Sequence, residues 1–230
     1  MRPGERRLRR HAINLLAGLL AVGLLAMSGC SSGGPAIDRT DLVNDLAARL
    51  NQAASVDYTA RYQLSGGASA TVSQTKEPRR VAYRWSGGAL ILTSQTTTKC
   101  AGTPLICTMT AAPASAPPQA SATELIKHGL LPAQKVSALL TASALDLRTE
   151  IRQRDTTIAG QPASCVEATG GKRDGVPYEF DVCVTTDGVL GSFAGKVDGT
   201  PIDLALTQYS QTVPDDAFAT ASPQPSASPL

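Results

Sequence analysis

The sequence has few of the side chains that enzymes use for catalysis. Among its 230 residues are two histidines, His11 and His128, one tryptophan and three phenylalanines. A serine nucleophile usually needs a histidine as its general base, and His11 falls in a segment that we predict to be removed. We interpret His128, which stands between Lys127 and Gly129, as a surface residue at a helix end. The sequence therefore predicts no catalytic residue and no enzymatic activity.

An excess of positive charge is lacking as well, which excludes a nucleic-acid partner. The chain has 21 Lys and Arg residues and 19 Asp and Glu residues. Its first 29 residues contain five of the basic residues and one of the acidic residues. The remaining 16 basic and 18 acidic residues leave no basic surface that could follow a phosphate backbone.

Three carboxylates in the second half of the chain share a predicted position. Alternation places Glu167, Glu179 and Asp181 on one face of adjacent strands. We interpret them as solvated carboxylates. The alternative is that they act together as the general acid and base of a catalytic site.

No apolar run is long enough to cross a membrane permanently. From residue 12 to residue 27 only Asn14 is polar, and these 16 residues fall short of the roughly 20 that a spanning helix needs. Five arginines precede the run, at positions 2, 6, 7, 9 and 10. A basic start followed by a short apolar run is typical of a secretory signal. We therefore predict a signal peptide over residues 1–29.

The signal peptide ends in a motif that resembles the bacterial lipobox. The motif is Met27-Ser28-Gly29-Cys30, with methionine where leucine is commoner. In lipoproteins of this kind the cysteine is acylated, and two or more acyl chains hold a protein stably on a membrane. The alternative is an uncleaved signal anchor. We expect a domain on the extracytoplasmic face of the cell membrane, anchored by lipid on Cys30, with residues 30–37 as a flexible tether.

Four cysteines remain after Cys30, an even number that suits an oxidising compartment. They form two pairs that are close in sequence, Cys100 with Cys107 and Cys165 with Cys183. The second pair lies almost symmetrically about the turn-forming residues 170–175, as opposite positions of one hairpin would. A zinc site would have only His128 to add to these cysteines. We predict two disulfides, no metal site and no cofactor.

The first half of the exported chain predicts one helix and then a series of strands. Asp38 or Thr40 can cap a helix. Apolar residues recur at near-helical spacing at Leu42, Val43, Leu46, Ala47, Leu50 and Ala54. Period-two alternation and turn residues then predict strands at 56–64, 69–75, 80–85 and 89–96. Residues 111–122, rich in alanine and proline, are interpreted as a mobile loop.

Two short helices and a second series of strands follow. Thr123 can cap the first helix, and Pro132 opens the second. Alternation in 145–151 fits a strand better than a helix, and Asp187-Gly188 is a hairpin turn signal. Further strands are predicted at 163–169, 177–185, 188–194 and 202–209, which gives eight to ten in total. Residues 219–230 are predicted to be a disordered tail rich in Pro, Ser and Ala.

Five short segments, beside the lipobox and the first helix, carry a family resemblance. They are QTKEPRR (74–80), TIAG (157–160), DGVL (187–190), PIDL (201–204) and YSQTVPDDAF (209–218). This set resembles the LolA-like superfamily, which includes the LprG and LppX lipoproteins of actinobacteria, and it covers residues 38–218. The resemblance implies an α+β fold: a strongly curved antiparallel sheet, an incomplete barrel, with helices covering its concave face around an apolar cavity for acyl chains.

Aromatic and aliphatic residues on the apolar faces of the strands are the candidates for the cavity wall. They share a common side because residues two apart in a strand point the same way. The candidates are Tyr58, Tyr62, Val81, Tyr83, Trp85, Leu90 and Leu92. The alternative is that they are core residues packed between the sheet and the helices.

Two functions follow as expectations. The first is a membrane-anchored cell-envelope lipoprotein that binds or carries a lipid or another hydrophobic ligand, as members of the family do. The second is a non-enzymatic envelope sensor or structural module that binds a protein partner, as RseB-like relatives do. An unfilled apolar cavity would favour the carrier, whereas a packed core beside an exposed apolar patch would favour the partner module.

Overall fold

Eleven strands form one antiparallel sheet in the part of the chain that the computed structural model describes, residues 39–112, 120–173 and 176–220. The predicted signal peptide, Cys30, the tether, residues 113–119 of the predicted loop and residues 221–230 of the predicted tail lie outside these ranges. No helix within them is both long enough and apolar enough to cross a membrane.

The elements follow one another in a simple order. Helix α1 (Arg39–Gln52) comes first. The first strands are β1 (Tyr58–Leu64), β2 (Ser69–Lys76), β3 (Arg79–Trp85), β4 (Gly88–Thr93), β5 (Thr96–Ala101) and β6 (Ile106–Ala111). Helices α2 (Ala122–Ile126) and α3 (Ala133–Leu145) come next. The last strands are β7 (Glu150–Ile158), β8 (Gln161–Arg173), β9 (Val176–Thr185), β10 (Leu190–Val197) and β11 (Thr200–Ser210).

The sheet consists of two meanders, β1–β6 and β7–β11, joined where β1 pairs with β11. Strands β6 and β7 are its two edges, so the sheet is not closed into a barrel. Tight turns make the short connections possible. Ala159-Gly160 and Asp198-Gly199 each have two positive φ angles, which is the geometry of the two-residue hairpin turn that matches the twist of the flanking strands.

The helices and one face of the sheet share a single hydrophobic core. Leu46 and Leu50 of α1, Val136 and Leu140 of α3, and Phe193 of β10 are each at most 1 % exposed. Burial of such side chains contributes about 1.5–3 kcal/mol each. The predicted first helix is confirmed, with its buried residues on the predicted spacing.

The opposite face of the sheet holds the end of the described chain. A 3₁₀ helix at Asp215–Phe218 lies against β3, where Arg84 Nε donates a 3.1 Å hydrogen bond to the carbonyl oxygen of Ala217. The Arg80 guanidinium stands 4.2 Å from the centre of the Phe218 ring, a cation–π contact. Arg84 Nη2 also donates to the carbonyl oxygen of Ala219, so packing continues one residue beyond the predicted end of the domain at 218.

Several strand boundaries shift by a few residues from the sequence-based expectation, and three predictions are wrong by more than that. Residues 145–151 are not one strand: α3 continues to Leu145, and β7 begins only at Glu150, leaving Leu145 and Leu147 exposed by 76 % and 89 %. The alternation there was accidental, because the alanine-rich run before it favours helix. Ser121 rather than Thr123 caps α2, through an acceptor contact with the backbone N–H of Glu124.

The predicted strand 89–96 is also wrong, since it spans two strands and the turn between them. The hydroxyl of Thr93 accepts hydrogen bonds from the backbone N–H groups of Gln95 and Thr96, at 3.2 and 3.0 Å. A threonine side chain of this kind closes a local turn in place of a backbone group. Strand β6 and nearly all of β5 were not predicted, and the sheet has eleven described strands rather than eight to ten.

Candidate functional site

A cavity of about 140 Å³, lined mainly by apolar and aromatic side chains, lies between strands β1–β4 and the helical segments. The sheet lines it with Tyr58, Tyr62, Val72, Val81, Tyr83 and Leu92. The remaining apolar wall consists of Leu50 from α1, Leu130 and Leu131 from the α2–α3 connection, and Val189, Leu190 and Leu204 from the second meander. The exposed residues of its lining, Asn51, Arg79, Ser94 and Gln134, mark the rim that opens to solvent.

Strand register brings the sheet side of the wall together. Tyr58 is paired with Gln74, Gln74 with Val81, and Val81 with Leu92, so one row crosses four strands. The next row begins at Ala60 and crosses Val72 to Tyr83. Residues paired across antiparallel strands have Cβ atoms about 4.5–5.5 Å apart. The two rows therefore form a continuous surface.

Five of the seven candidate residues line the cavity: Tyr58, Tyr62, Val81, Tyr83 and Leu92. Leu90 does not, because it is packed in the core at 2 % exposure. Trp85 lies elsewhere too, stacked on the imidazole of His128 with ring centres 4.1 Å apart. Gly88 makes this possible, since a Cβ atom there would be 2.5 Å from the indole nitrogen. His128 is accordingly half-buried rather than a free surface residue.

The tyrosines of the cavity combine apolar rings with few polar contacts. Tyr62 donates a 2.9 Å hydrogen bond to the carbonyl oxygen of Leu190 and thereby connects the two meanders. Burial raises the pKa of Tyr58 and of Tyr62 well above the ordinary value. Burial also raises the pKa of Tyr83 to about 12, although the charge of Arg79 acts in the opposite direction. All three phenols are therefore neutral at physiological pH.

A buried glutamine fixes the wall nearest to α1. Gln74 is 6 % exposed, and its side-chain amide donates to the carbonyl oxygens of Ala53 and Val56 at 2.6 and 3.0 Å. These contacts hold the turn after α1 against β2. Leaving such a buried carbonyl without a partner costs about 1–3 kcal/mol, so Gln74 keeps the helix end in place beside the cavity.

The two arginines at the start of β3 differ in their surroundings. Arg80 also borders the cavity, but its Nε donates to the hydroxyl of Thr75 at 3.3 Å and its guanidinium lies over Phe218 on the far side of the sheet. Arg79 is exposed at the rim, and among the described residues it has no ion-pair partner. The rim therefore carries one uncommitted positive charge.

The three carboxylates singled out from the sequence lie on the opposite face of the sheet. Glu167 is paired with Asp181 across β8 and β9, and Asp181 accepts a 2.7 Å hydrogen bond from Arg154. With Glu179 they line a hollow of about 870 Å³ that is broad and open to solvent. Glu179 is exposed, Glu167 and Asp181 are half-buried, and Asp181 is ion-paired with Arg154, which agrees with a solvated face rather than an enclosed site. We therefore take the smaller, more enclosed cavity as the candidate site.

Both cysteine pairs lie at bonding distance. The sulfur atoms are 2.05 Å apart in Cys100–Cys107 and 2.08 Å apart in Cys165–Cys183, and each pair occupies opposite positions of a hairpin. This geometry is consistent with the two predicted disulfides. In the described part of the chain, no group of three or more His, Cys, Asp and Glu side chains could hold a metal ion.

Sequence reasoning missed several residues of the site. Gln74 and Arg79 could have been found, because each follows the inward alternation of its strand: Gln74 after Val72, and Arg79 before Val81. Leu50 was identified as part of a helical face but not as cavity wall. Leu130, Leu131 and Leu190 gave no signal, because their places in the wall depend on contacts between segments far apart in sequence.

No protein-family model and no curated protein matches the sequence. Among solved structures, the chain is similar to an uncharacterized conserved protein from Thermus thermophilus, with a TM-score of 0.45 and 12% sequence identity. The match covers 80% of this chain and 96% of the Thermus protein.

Proposed function

We propose that this protein is a lipid-anchored envelope protein that binds the alkyl chain of a lipid or a similar hydrophobic ligand in the β1–β4 cavity. The observation that supports the proposal is the cavity itself, which is lined mainly by apolar and aromatic side chains and opens at one polar rim. Well-packed cores contain few voids larger than a water molecule. Members of the family that the sequence resembles carry lipids, which agrees with this use. No catalytic step is part of the proposal.

The size of the cavity limits what it holds in this conformation. Its volume of about 140 Å³ is close to that of an engineered cavity of about 150 Å³ that binds benzene. It therefore has room for about six carbon atoms. At about 0.8 kcal/mol for each buried methylene group, such a chain contributes roughly 5 kcal/mol, which corresponds to a dissociation constant on the order of 0.1–1 mM. A longer chain extends through the rim or widens the cavity.

The proposal extends to the finer fold features that the resemblance implies. In this proposal the sheet is strongly curved, and α1, α2 and α3 cover its concave face. Widening of the cavity would then consist of movement of the α2–α3 connection, which supplies Leu130 and Leu131 to the wall. Loop segments beside a ligand site commonly move in this way.

A series of straight-chain alcohols tests the proposal by calorimetry. Affinity should rise about fourfold with each added CH₂ group until about six carbons are buried and should then rise more slowly. Native mass spectrometry with lipid extraction, on protein purified from its own membrane, identifies the natural ligand. No binding across the series, together with no co-purifying lipid, would contradict the proposal.

Two leucines of β4 supply a matched pair of variants. Leu92 lines the cavity, whereas Leu90, two residues away on the same face, is packed in the core. Leu92→Trp should fill the cavity and lower ligand affinity at least tenfold, with little change in stability, because the added bulk enters empty space. Leu90→Trp should instead destabilise the protein by about 1–3 kcal/mol. Equal destabilisation by both would mean that the cavity is ordinary core.

The anchor is tested separately from the cavity. Cys30→Ser should abolish incorporation of a labelled fatty acid and release the protein from the membrane, while the isolated domain binds alcohols unchanged. Label that persists on the serine variant would exclude Cys30 as the acylation site.

A protein-binding module is the second candidate function. It is favoured by Ile106 and Met109, which are 74 % and 62 % exposed on the edge strand β6. An edge strand has unpaired backbone groups that a partner strand can use. Met109→Glu should then abolish the cellular role without affecting ligand binding, whereas the carrier proposal expects the role to depend on Leu92 instead.

A further inference from the structure

We propose that Arg79 binds the anionic head group of an amphiphile whose chain occupies the β1–β4 cavity. This inference rests on the proposed function and specifies its ligand class. Carboxylate and phosphate head groups share the chemistry that a guanidinium recognises, because either can accept two parallel hydrogen bonds from it.

The first observation is the position of Arg79 at the rim of the cavity. It is the first residue of β3, on the same side as Val81 and Tyr83, and it is exposed where the cavity meets solvent. Its charge acts on the phenol of Tyr83, lowering the pKa of that phenol against the larger effect of burial. Arg79 and Tyr83 thus border the same cavity on one face of β3.

The second observation is that polar groups at the cavity lack hydrogen-bond or ion-pair partners among the described residues. Among the described residues, Arg79 has no carboxylate partner, and the hydroxyls of Tyr58 and Tyr83 make no hydrogen bond to another described residue. The nearby carboxylate of Asp57 accepts from the backbone N–H of Lys76 at 2.7 Å. The Arg79 guanidinium at the rim and the two phenols in the wall are thus available to an acceptor from outside the described chain.

The third observation is the difference in polarity between the rim and the interior of the cavity. The interior wall supplies leucine, valine and aromatic rings, which favour a hydrocarbon chain. A wholly apolar ligand would gain nothing from the arginine. An anionic amphiphile uses both parts at once, with its chain inside and its head at Arg79.

Three probes with the same chain separate the contributions: octanoate, octyl phosphate and octanol, each measured by calorimetry at pH 8. The wild-type protein should bind both anions more tightly than octanol, and the preference should weaken as salt is added. Arg79→Gln should lower affinity for the two anions about tenfold and leave octanol within about twofold. Arg79→Lys should restore part of the anion affinity, since it keeps the charge without the planar fork.

Lys196→Gln is the matched control, because Lys196 is an exposed cation of β10 that does not line the cavity. It should leave all three affinities unchanged. Thermal unfolding of Arg79→Gln should match the wild type, since the side chain is exposed. The ratio of octanoate to octyl phosphate affinity identifies the preferred head group.

Two results would overturn the inference. If Arg79→Gln changes octanol and the anions equally, or changes none of them, the head-group site is wrong while the cavity proposal survives. If the wild-type protein binds none of the three probes, the cavity proposal fails, and the head-group site fails with it.

Discussion

The two meanders enclose very different interiors. Beneath β8, β9 and the middle of β10 the core side chains are fully enclosed: Val166, Val182, Val184 and Phe193 have no exposed surface, and the rings of Phe180 and Phe193 stack with centres 5.8 Å apart. Beneath β1–β4 the inward residues include three tyrosines, and a cavity of about 140 Å³ remains. One sheet therefore combines a filled half with an unfilled half.

The chemistry of the inward side chains explains the difference. Valine is stiff and branched, so neighbouring valines on a pleated surface pack closely. A tyrosine has a polar end that must find a partner or water, which restricts where its ring can lie. Tyr62 is fixed by its hydrogen bond to the carbonyl oxygen of Leu190. The valine-rich strands of the second meander are thus closely packed, whereas the tyrosines of the first border the cavity.

The largest effect should come from the filled half. Phe193→Ala should lower the free energy of unfolding by about 3–5 kcal/mol, because the ring is fully buried and stacked on Phe180. Urea denaturation measures the loss. A loss below about 1 kcal/mol would show that this half also contains unoccupied space.

Removal of the disulfides should have the next largest effect. Replacing Cys165 and Cys183 with alanine should cost about 3 kcal/mol, and replacing Cys100 and Cys107 about 2.5 kcal/mol, since a longer closed loop restricts the unfolded chain more. The separations are 18 and 7 residues. Denaturation under non-reducing conditions tests the order, and peptide mapping that found crossed pairs would refute the assignment.

One substitution made in both halves compares them directly. Val182→Ala should cost about 2 kcal/mol, because two methyl groups leave a filled site. Val72→Ala should cost only about 1 kcal/mol, because this side chain already borders the cavity and loses fewer contacts. The two free energies come from the same denaturation assay. Equal losses would remove the distinction between the halves.

The smallest effect concerns alkaline pH. Burial raises the pKa of Tyr83 to about 12 from an ordinary 10.0. The stability that comes from keeping this phenol neutral is complete below pH 10 and is lost as the pH rises towards 12, because the unfolded state releases the proton first. Tyr83→Phe should therefore raise the midpoint of alkaline unfolding by a few tenths of a pH unit. Circular dichroism measures the unfolding as the pH rises. A lowered midpoint in the Tyr83→Phe variant would contradict this assignment.

Local patterns predicted much of the fold. The spacing of Leu42, Leu46 and Leu50 predicted α1, and the alternation in β1 and β3 predicted which side chains face inward. These predictions succeeded because helical and strand periodicity depend only on neighbours along the chain. The prediction at 145–151 failed because a short alternating run does not reveal that the preceding helix ends within it, at Leu145, and that the next strand begins only at Glu150.

The amino-acid sequence by itself determined the strand periodicity, the pairs of neighbouring cysteines and most of the tyrosine wall. Only the tertiary structure decided that β1 pairs with β11, that Leu130, Leu131 and Leu190 close the cavity, and that Trp85 turns away from it to stack on His128. The reason is the range of the interactions. Periodicity is encoded within a few residues, whereas an empty volume exists only where distant side chains fail to fill the space between them.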